Sequence, residues 1–260
     1  MPSSLFRQIV FGPIHSRRLG LSLGVNVLPA HGKWCSFDCI YCECGWNADG
    51  AGDTSLPSMQ EVSMALAQKL AMVAAQGALP DAITFSGNGE PTLHPHFKEI
   101  IEDTVALRSQ YAPHTKVCVL SNASQLHRPG VFEGLLLADK RIMKIDSAFP
   151  ETVHKIDQPA AGYDLHHTIH ELKRFDGDFS LQTLFVRGRF HGSVIDNTTP
   201  VELQAWIDLI KDLKPKEVMI CAIDRQTPAK ELEKIHVAEL EAIADMVKSV
   251  GLNIDINIAG

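Results

Sequence analysis

Short apolar runs alternate along the chain with longer stretches in which apolar residues recur every three or four positions. The runs Leu21–Leu28, Ala82–Phe85, Lys116–Leu120, Ile142–Ile145, Leu181–Val186, Val218–Ile223 and Ile254–Ile258 predict strands. Between them, Met59–Gln76, Phe97–Tyr111, Val131–Ala138, Leu165–Phe175, Pro200–Leu213 and His236–Val250 predict helices. Ser58 followed by Glu61 reads as a capping box opening the first helix, and Gly77 suits its end. The turn-rich stretch Asn47–Pro57 predicts a surface loop. Strands in alternation with helices argue for βα units around a parallel sheet. Six such units predict a partial (β/α)6 TIM-like barrel with parallel strands. No repeat, low-complexity tract or linker breaks the pattern, so residues 1–260 read as one domain. Its core runs from about residue 20 to 225, with a C-terminal helix and strand over 226–260.

In parallel sheets of this kind, chemistry gathers beyond the carboxyl ends of the strands. The polar residues obey that rule. After the first strand comes a cysteine loop, and after the second Ser86-Gly87-Asn88-Gly89-Glu90. The third strand ends in Ser121-Asn122, the fourth in Asp146-Ser147 and the sixth in Asp224-Arg225. One rim cleft is the inference.

Composition narrows the class. The 260 residues are 45% hydrophobic and 21% charged, which excludes a disordered or disulfide-dense chain. Gln68 and Lys69 break the longest apolar stretch, and the N-terminus lacks a basic-then-apolar signal, so the expectation is a cytoplasmic protein without membrane partners. The net charge of -7 disfavours dependence on phosphate contacts, although His15-Ser16-Arg17-Arg18 and Arg187-Gly188-Arg189 are locally basic.

Four of the six cysteines, Cys35, Cys39, Cys42 and Cys44, fall within ten residues, while Cys118 and Cys221 sit in apolar runs as small buried side chains. The core spacing is C-x3-C-x2-C. Thiolates favour zinc, copper(I) and iron–sulfur clusters. Zinc wants four ligands, usually as two separated pairs, and Cys44 or His31 would have to complete the set. Three thiolates on one compact loop instead suit three corners of a cubane cluster and leave one iron open to a small molecule. Gly87-Asn88-Gly89-Glu90 fails as a dinucleotide fingerprint, because the third glycine is missing and Pro91 follows. Glycines at a strand end still let backbone approach a ligand, and Glu90 can accept from an ammonium.

C-x3-C-x2-C with Tyr41 before the last cysteine resembles the radical S-adenosylmethionine (radical SAM) superfamily. Gly12–Gly20 (GPIHSRRLG), Ser86–Leu93 (SGNGEPTL) and Ile223-Asp224-Arg225 resemble the branch holding wyosine-type tRNA-modifying enzymes and their bacterial relatives. The resemblance implies a [4Fe–4S] cluster on Cys35, Cys39 and Cys42, with S-adenosylmethionine on the fourth iron. It implies one-electron cleavage to a 5′-deoxyadenosyl radical that takes hydrogen from a substrate, and a reductant such as flavodoxin or ferredoxin. It further implies that Gly87, Asn88, Gly89 and Glu90 hold the amino group, against an ordinary glycine turn, and Ser121 and Asn122 the ribose and carboxylate, against an Asx or serine turn. Asp146 and Ser147 are similarly placed, with a helix N-cap as the alternative for Ser147. Ile223 offers backbone to the adenine, and Tyr41 flanks the ring or packs in the core. The chain departs from wyosine-type enzymes in having no cysteines upstream of Cys35 for a second cluster.

Arg187, Asp224 and Arg225, with Arg189, are the candidates for holding an anionic or polar substrate, against an Asp–Arg bridge that pins the loop. Gln182 joins them only if its strand parity faces it inward. His166, His167 and His170 read as surface or packing residues, and His94 and His96 as helix-entry polar residues. The substrate stays open among a tRNA base, a peptide and a small metabolite. A glycyl-radical-enzyme activase and a non-catalytic iron–sulfur or zinc module are the alternatives.

Overall fold

The computed structural model describes residues 5–16, 18–50 and 52–259. Arg17 of the basic cluster lies outside the described residues. In chain order the elements are β1 (Val10–Ser16), β2 (Gly20–Val25), α1 (Met59–Ala75), β3 (Ala82–Phe85), α2 (Phe97–Tyr111) and β4 (Lys116–Ser121). There follow α3 (Pro129–Leu137), β5 (Lys140–Lys144), α4 (Pro150–Asp157), α5 (Leu165–Leu172), β6 (Ser180–Phe190) and β7 (Ser193–Asp196). The chain closes with α6 (Pro200–Leu213), β8 (Glu217–Ala222), β9 (Glu231–Lys234), α7 (Val237–Ser249) and β10 (Asp255–Ala259). Each strand and helix that the apolar pattern predicts is present, with ends shifted by a few residues. The loop over 47–57 contains a short 3-10 turn at Asn47–Gly50.

Four elements escape the pattern. β7 (SVID) and β9 (ELEK) are four residues long and mostly exposed, so they carry no apolar run. β1 buries only its first two residues, and its register with β2 shifts between Phe11 and Ile14, around Gly12-Pro13. α4 has only eight residues and opens on a proline at its first turn.

The chain forms two compact units. The first is Met1–Ser36, Asn47–Ser121 and Gln125–Ile142, and the second is Phe37–Trp46, Asn122–Ser124 and Met143–Gly260. In the first, β2, β3 and β4 pair in parallel, with Leu23, Ile83 and Val117 in one buried row, and β1 lies antiparallel on β2. α1 buries Val62, Leu66, Leu70 and Val73, the spacing of one helix face. Its start is the expected capping box: the Ser58 hydroxyl accepts from Glu61 N–H, and the Glu61 carboxylate accepts from Ser58 N–H. In the second unit, β6, β8 and β10 pair in parallel, with Leu181, Val218 and Ile256 in register. β6 then overshoots, and residues 186–190 pair antiparallel with β7 on one side and β9 on the other. Trp206 of α6 packs edge-on against Phe185, with ring centroids 5.1 Å apart, and donates to Thr183 Oγ1 at 2.9 Å. Among the described residues no helix is long and apolar enough to cross a membrane.

Candidate functional site

In the first unit the structure ties the glycine loop to the entry of the cysteine loop. Trp34 N–H donates to Asn88 O at 2.8 Å, and Glu90 N–H donates to Trp34 O at 3.1 Å, so Trp34 and Gly89 form a parallel bridge. Gly89 is required there. Its φ is +142°, and a Cβ would fall on the Trp34 carbonyl oxygen. The next residue, Cys35, is held at its backbone by Asn47, whose amide accepts from Cys35 N–H and donates to Cys35 O, both at 3.1 Å. Glu90 is 2% exposed, and its Oε1 accepts from Ser121 Oγ at 2.9 Å, Thr92 Oγ1 at 2.6 Å and Thr92 N–H at 3.1 Å. Two residues expected at one cofactor, Glu90 and Ser121, are therefore directly bonded.

Asn88 is fully buried, and its side chain serves the protein. It accepts from Phe6 N–H at 2.8 Å and donates to Phe6 O at 2.8 Å and Pro29 O at 2.7 Å. Both amide hydrogens are thus used, and Asn88 bears on a ligand through the loop that it fixes. Asn26 supports the same turn: its Oδ1 accepts from Asn88 N–H, and its side chain lies against Gly87.

The second unit holds the rest of the cysteine loop. Cys42 N–H donates to Cys39 O at 3.0 Å, and Gly45 N–H to Cys42 O at 3.0 Å, which coils the segment into consecutive tight turns. Ile40 is buried in a cluster with Ile156, Val186, Ile195 and Ala229, and Tyr41 and Ile223 pack against it. The Tyr41 hydroxyl donates to Asp146 Oδ2. Asp146 Oδ1 accepts from Leu184 N–H at 2.9 Å, and its carbonyl accepts from Asn197 at 2.8 Å. Lys144 lies 3.0 Å from Asp146 and 2.5 Å from Asp157. Burial alone would lower the Lys144 pKa, but Asp146 and Asp157 outweigh it and hold the ammonium well above its ordinary value. Burial, then Asp146, pushes the Tyr41 phenol up. Burial also pushes the Asp157 carboxyl up to about 7 despite Lys144.

The other expected residues fall as follows. Asn122 Oδ1 accepts from Ser124 N–H at 3.1 Å, an Asx turn, with Ala123 in the left-handed region. Ser147 Oγ donates to the buried Glu202 at 2.6 Å and accepts from Phe149 N–H at 2.9 Å. Arg187 pairs with Glu239 and donates to Thr198 at 2.7 Å. On β6, Arg187 and Arg189 stand in register with Asp196, Glu231 and Glu233, so this cleft of about 460 Å³ sets carboxylates against both arginines. Asp224 and Arg225 do not bridge to each other. Arg225 pairs with the half-buried Glu43 at 2.9 Å and Asp224 with Lys234 at 3.7 Å; Asp224, Arg225 and Lys234 are exposed, where such pairs contribute little. His166 and His167 donate backbone N–H to the N-cap Asp164, and His94 bonds Pro57 O. Cys118 and Cys221 are buried as expected.

Lys144, Asp157, Asn197 and Glu202 were not legible as site residues. Lys144 did carry a signal: a charge ending an apolar strand, two residues before Asp146 and so on the same face. The six cysteines form no disulfide. Among the described residues, no group of three or more His, Cys, Asp or Glu is gathered for a metal ion. The donor set nevertheless fits an iron–sulfur cluster by its chemistry, with thiols not joined in disulfides on a coiled loop beside the half-buried Lys144.

No protein-family model matches the chain. UPF0026 protein slr1464 of Synechocystis is 32% identical over 231 residues, 86% of this chain and 78% of the relative. The chain belongs to the UPF0026 family. A second relative, called GTPase Obg in Brachyspira hyodysenteriae, is 30% identical over 243 residues, 92% of this chain, which spans only 33% of that protein. The UPF0026 chain also shares its fold with solved radical SAM enzymes. A radical SAM methyltransferase from Sphaerobacter thermophilus aligns with TM-score 0.64 at 14% identity, over 91% of this chain and 65% of that one. TYW1 with a lysine–pyruvate adduct bound aligns with TM-score 0.64 at 15% identity, over 88% and 73%. SuiB of Streptococcus suis bound to precursor peptide SuiA aligns with TM-score 0.65 at 12% identity, over 91% and 48%. The fold is therefore the partial (β/α) barrel of the radical SAM enzymes.

Proposed function

We propose that this UPF0026 protein is a radical SAM enzyme. Cys35, Cys39 and Cys42 would hold a [4Fe–4S] cluster, and Gly87–Glu90, Ser121, Asn122, Asp146 and Ile223 would form the S-adenosylmethionine shell. The observation that carries the reading is the bridge between motif loops, Glu90 N–H to Trp34 O beside Cys35, on a radical SAM fold. Once bound, the cluster and S-adenosylmethionine supply reductive cleavage to a carbon radical. The chain's own work is to bind and to exclude water. Glu90 accepts from an ammonium, with its carboxylate oriented by Ser121 and Thr92. Tyr41 and Ile223 offer an apolar wall to a purine. Hydrogen would be taken from a tRNA base, a peptide or a metabolite, and flavodoxin or ferredoxin would supply the electron.

The test is anaerobic reconstitution with iron and sulfide, then dithionite and S-adenosylmethionine, with chromatography for 5′-deoxyadenosine and Cys39→Ala alongside. Cysteine-dependent 5′-deoxyadenosine is expected. A protein that takes up zinc and never iron is a non-catalytic module, and the enzyme reading falls.

A further inference from the structure

Lys144 ends β5 between two carboxylates, Asp146 and Asp157. We propose that it is a positioning residue for the Cys39–Cys42 turn, an inference that rests on the radical SAM reading. The segment before that turn is bolted to the end of α4. Phe37 and Pro159 form an antiparallel bridge, Asp38 N–H donates to Asp157 O at 3.0 Å, and Ile40 N–H donates to Ile156 O at 2.9 Å. The anchor point is thus the backbone of residues 156–159. Within that backbone Ile156 is packed in the core, and the Asp157 side chain, itself 1% exposed, is paired at 2.5 Å with Lys144.

The same ammonium reaches the other flank. It lies 3.0 Å from Asp146 Oδ2, the oxygen that receives the Tyr41 hydroxyl. It also stands over the rings of Phe37 and Tyr41, at 5.2 and 5.6 Å from their centroids. One half-buried cation therefore stands over the rings two residues before and two after Cys39. The ionisable groups around it include Asp146, Asp157, Cys39, Tyr41 and Tyr163. Supporting groups of this kind, one step removed from a metal, commonly set how firmly the metal is held. An apolar side chain of equal length would fill the space and hold neither carboxylate.

The test compares wild type with Lys144→Met, Lys144→Arg and the double variant Lys144→Met/Asp157→Asn, which removes both members of the pair. Folding is checked by circular dichroism on the unloaded proteins. After anaerobic reconstitution, iron release to a chelator and the midpoint potential are read. For Lys144→Met, release should rise roughly tenfold. Its potential should move negative, because a positive charge beside a thiolate is gone, and arginine should restore both. If Lys144→Met does not fold, the double variant gives the release rate. Iron release at the wild-type rate in a folded variant overturns the proposal and leaves the enzyme reading standing. Wild type that never loads iron overturns both.

Discussion

Replacing Asn88 tests the physical basis of the glycine loop. Asn88→Ala deletes three hydrogen bonds, of which the one to Pro29 is buried and the two to Phe6 are partly buried. A hydrogen bond contributes about 0.5–1.5 kcal/mol net, and a buried acceptor left without its donor costs about 1–3 kcal/mol. Water can re-solvate Phe6 but not Pro29, so the expected loss is about 2–3 kcal/mol in all. Asn88→Asp separates bonding from shape. It keeps the acceptor for Phe6 N–H, loses both donors and buries a carboxylate against two carbonyl oxygens, so it should be worse than alanine. Urea unfolding gives the free energies, followed by a probe in each compact unit because the chain has two. Hydrogen exchange at the Phe6 amide gives the local effect and should speed up in both variants. An alanine cost below about 0.5 kcal/mol, or aspartate no worse than alanine, would refute the argument.

Cys35→Ala, Cys39→Ala and Cys42→Ala should each abolish iron loading on reconstitution while Cys44→Ala loads normally; iron and sulfide assays decide. Ser147→Ala removes a donor to the buried Glu202 carboxylate and should cost roughly 1.5–3 kcal/mol by urea unfolding. Adding Glu202→Gln should recover part of that, and strict additivity would argue against the bond. Burial holds the His94 pKa below its ordinary value, so below about pH 6.5 the unfolded chain binds the extra proton first. Stability should fall as pH drops from 6.5 through the folded pKa, and His94→Gln should flatten that slope in pH-dependent melting.

The sheet and helices were legible because burial writes a period into the chain. Leu23, Ile83 and Val117 sit in apolar runs because each strand is covered on both faces. β7 and β9 left no such record, since exposed four-residue strands held by an overshooting neighbour need no apolar residues. At the site, the motif residues were legible by type, and their bonding was not. Glu90 and Ser121 lie 31 positions apart, and only the packed sheet brings their side chains to 2.9 Å. The resemblance implies Asn88 at the amino group of a ligand; its amide meets Phe6 and Pro29, a tertiary contact with no sequence spacing to betray it. Arg187 and Arg189 read as basic because their carboxylate neighbours come from β7 and β9, the strands the pattern does not show.

Asp146 and Ser147 show what this means for the chemistry. The sequence pattern places the pair at a strand end, where polar groups can face a ligand. Asp146 instead gathers Tyr41, Lys144, Leu184 and, through its carbonyl, Asn197, while Ser147 gathers Glu202 and Phe149. Tyr41 lies in the cysteine segment, Leu184 on β6 and Glu202 on α6, so the pair ties the end of β5 to the cysteine segment, β6 and α6. A carboxylate so engaged cannot swing to meet a ligand without breaking buried bonds, each costly to leave unmade. Its role under the proposed function is therefore that of a fixed floor. The ligand meets an arrangement set in advance, which is how a protein lowers the cost of positioning a reactive intermediate.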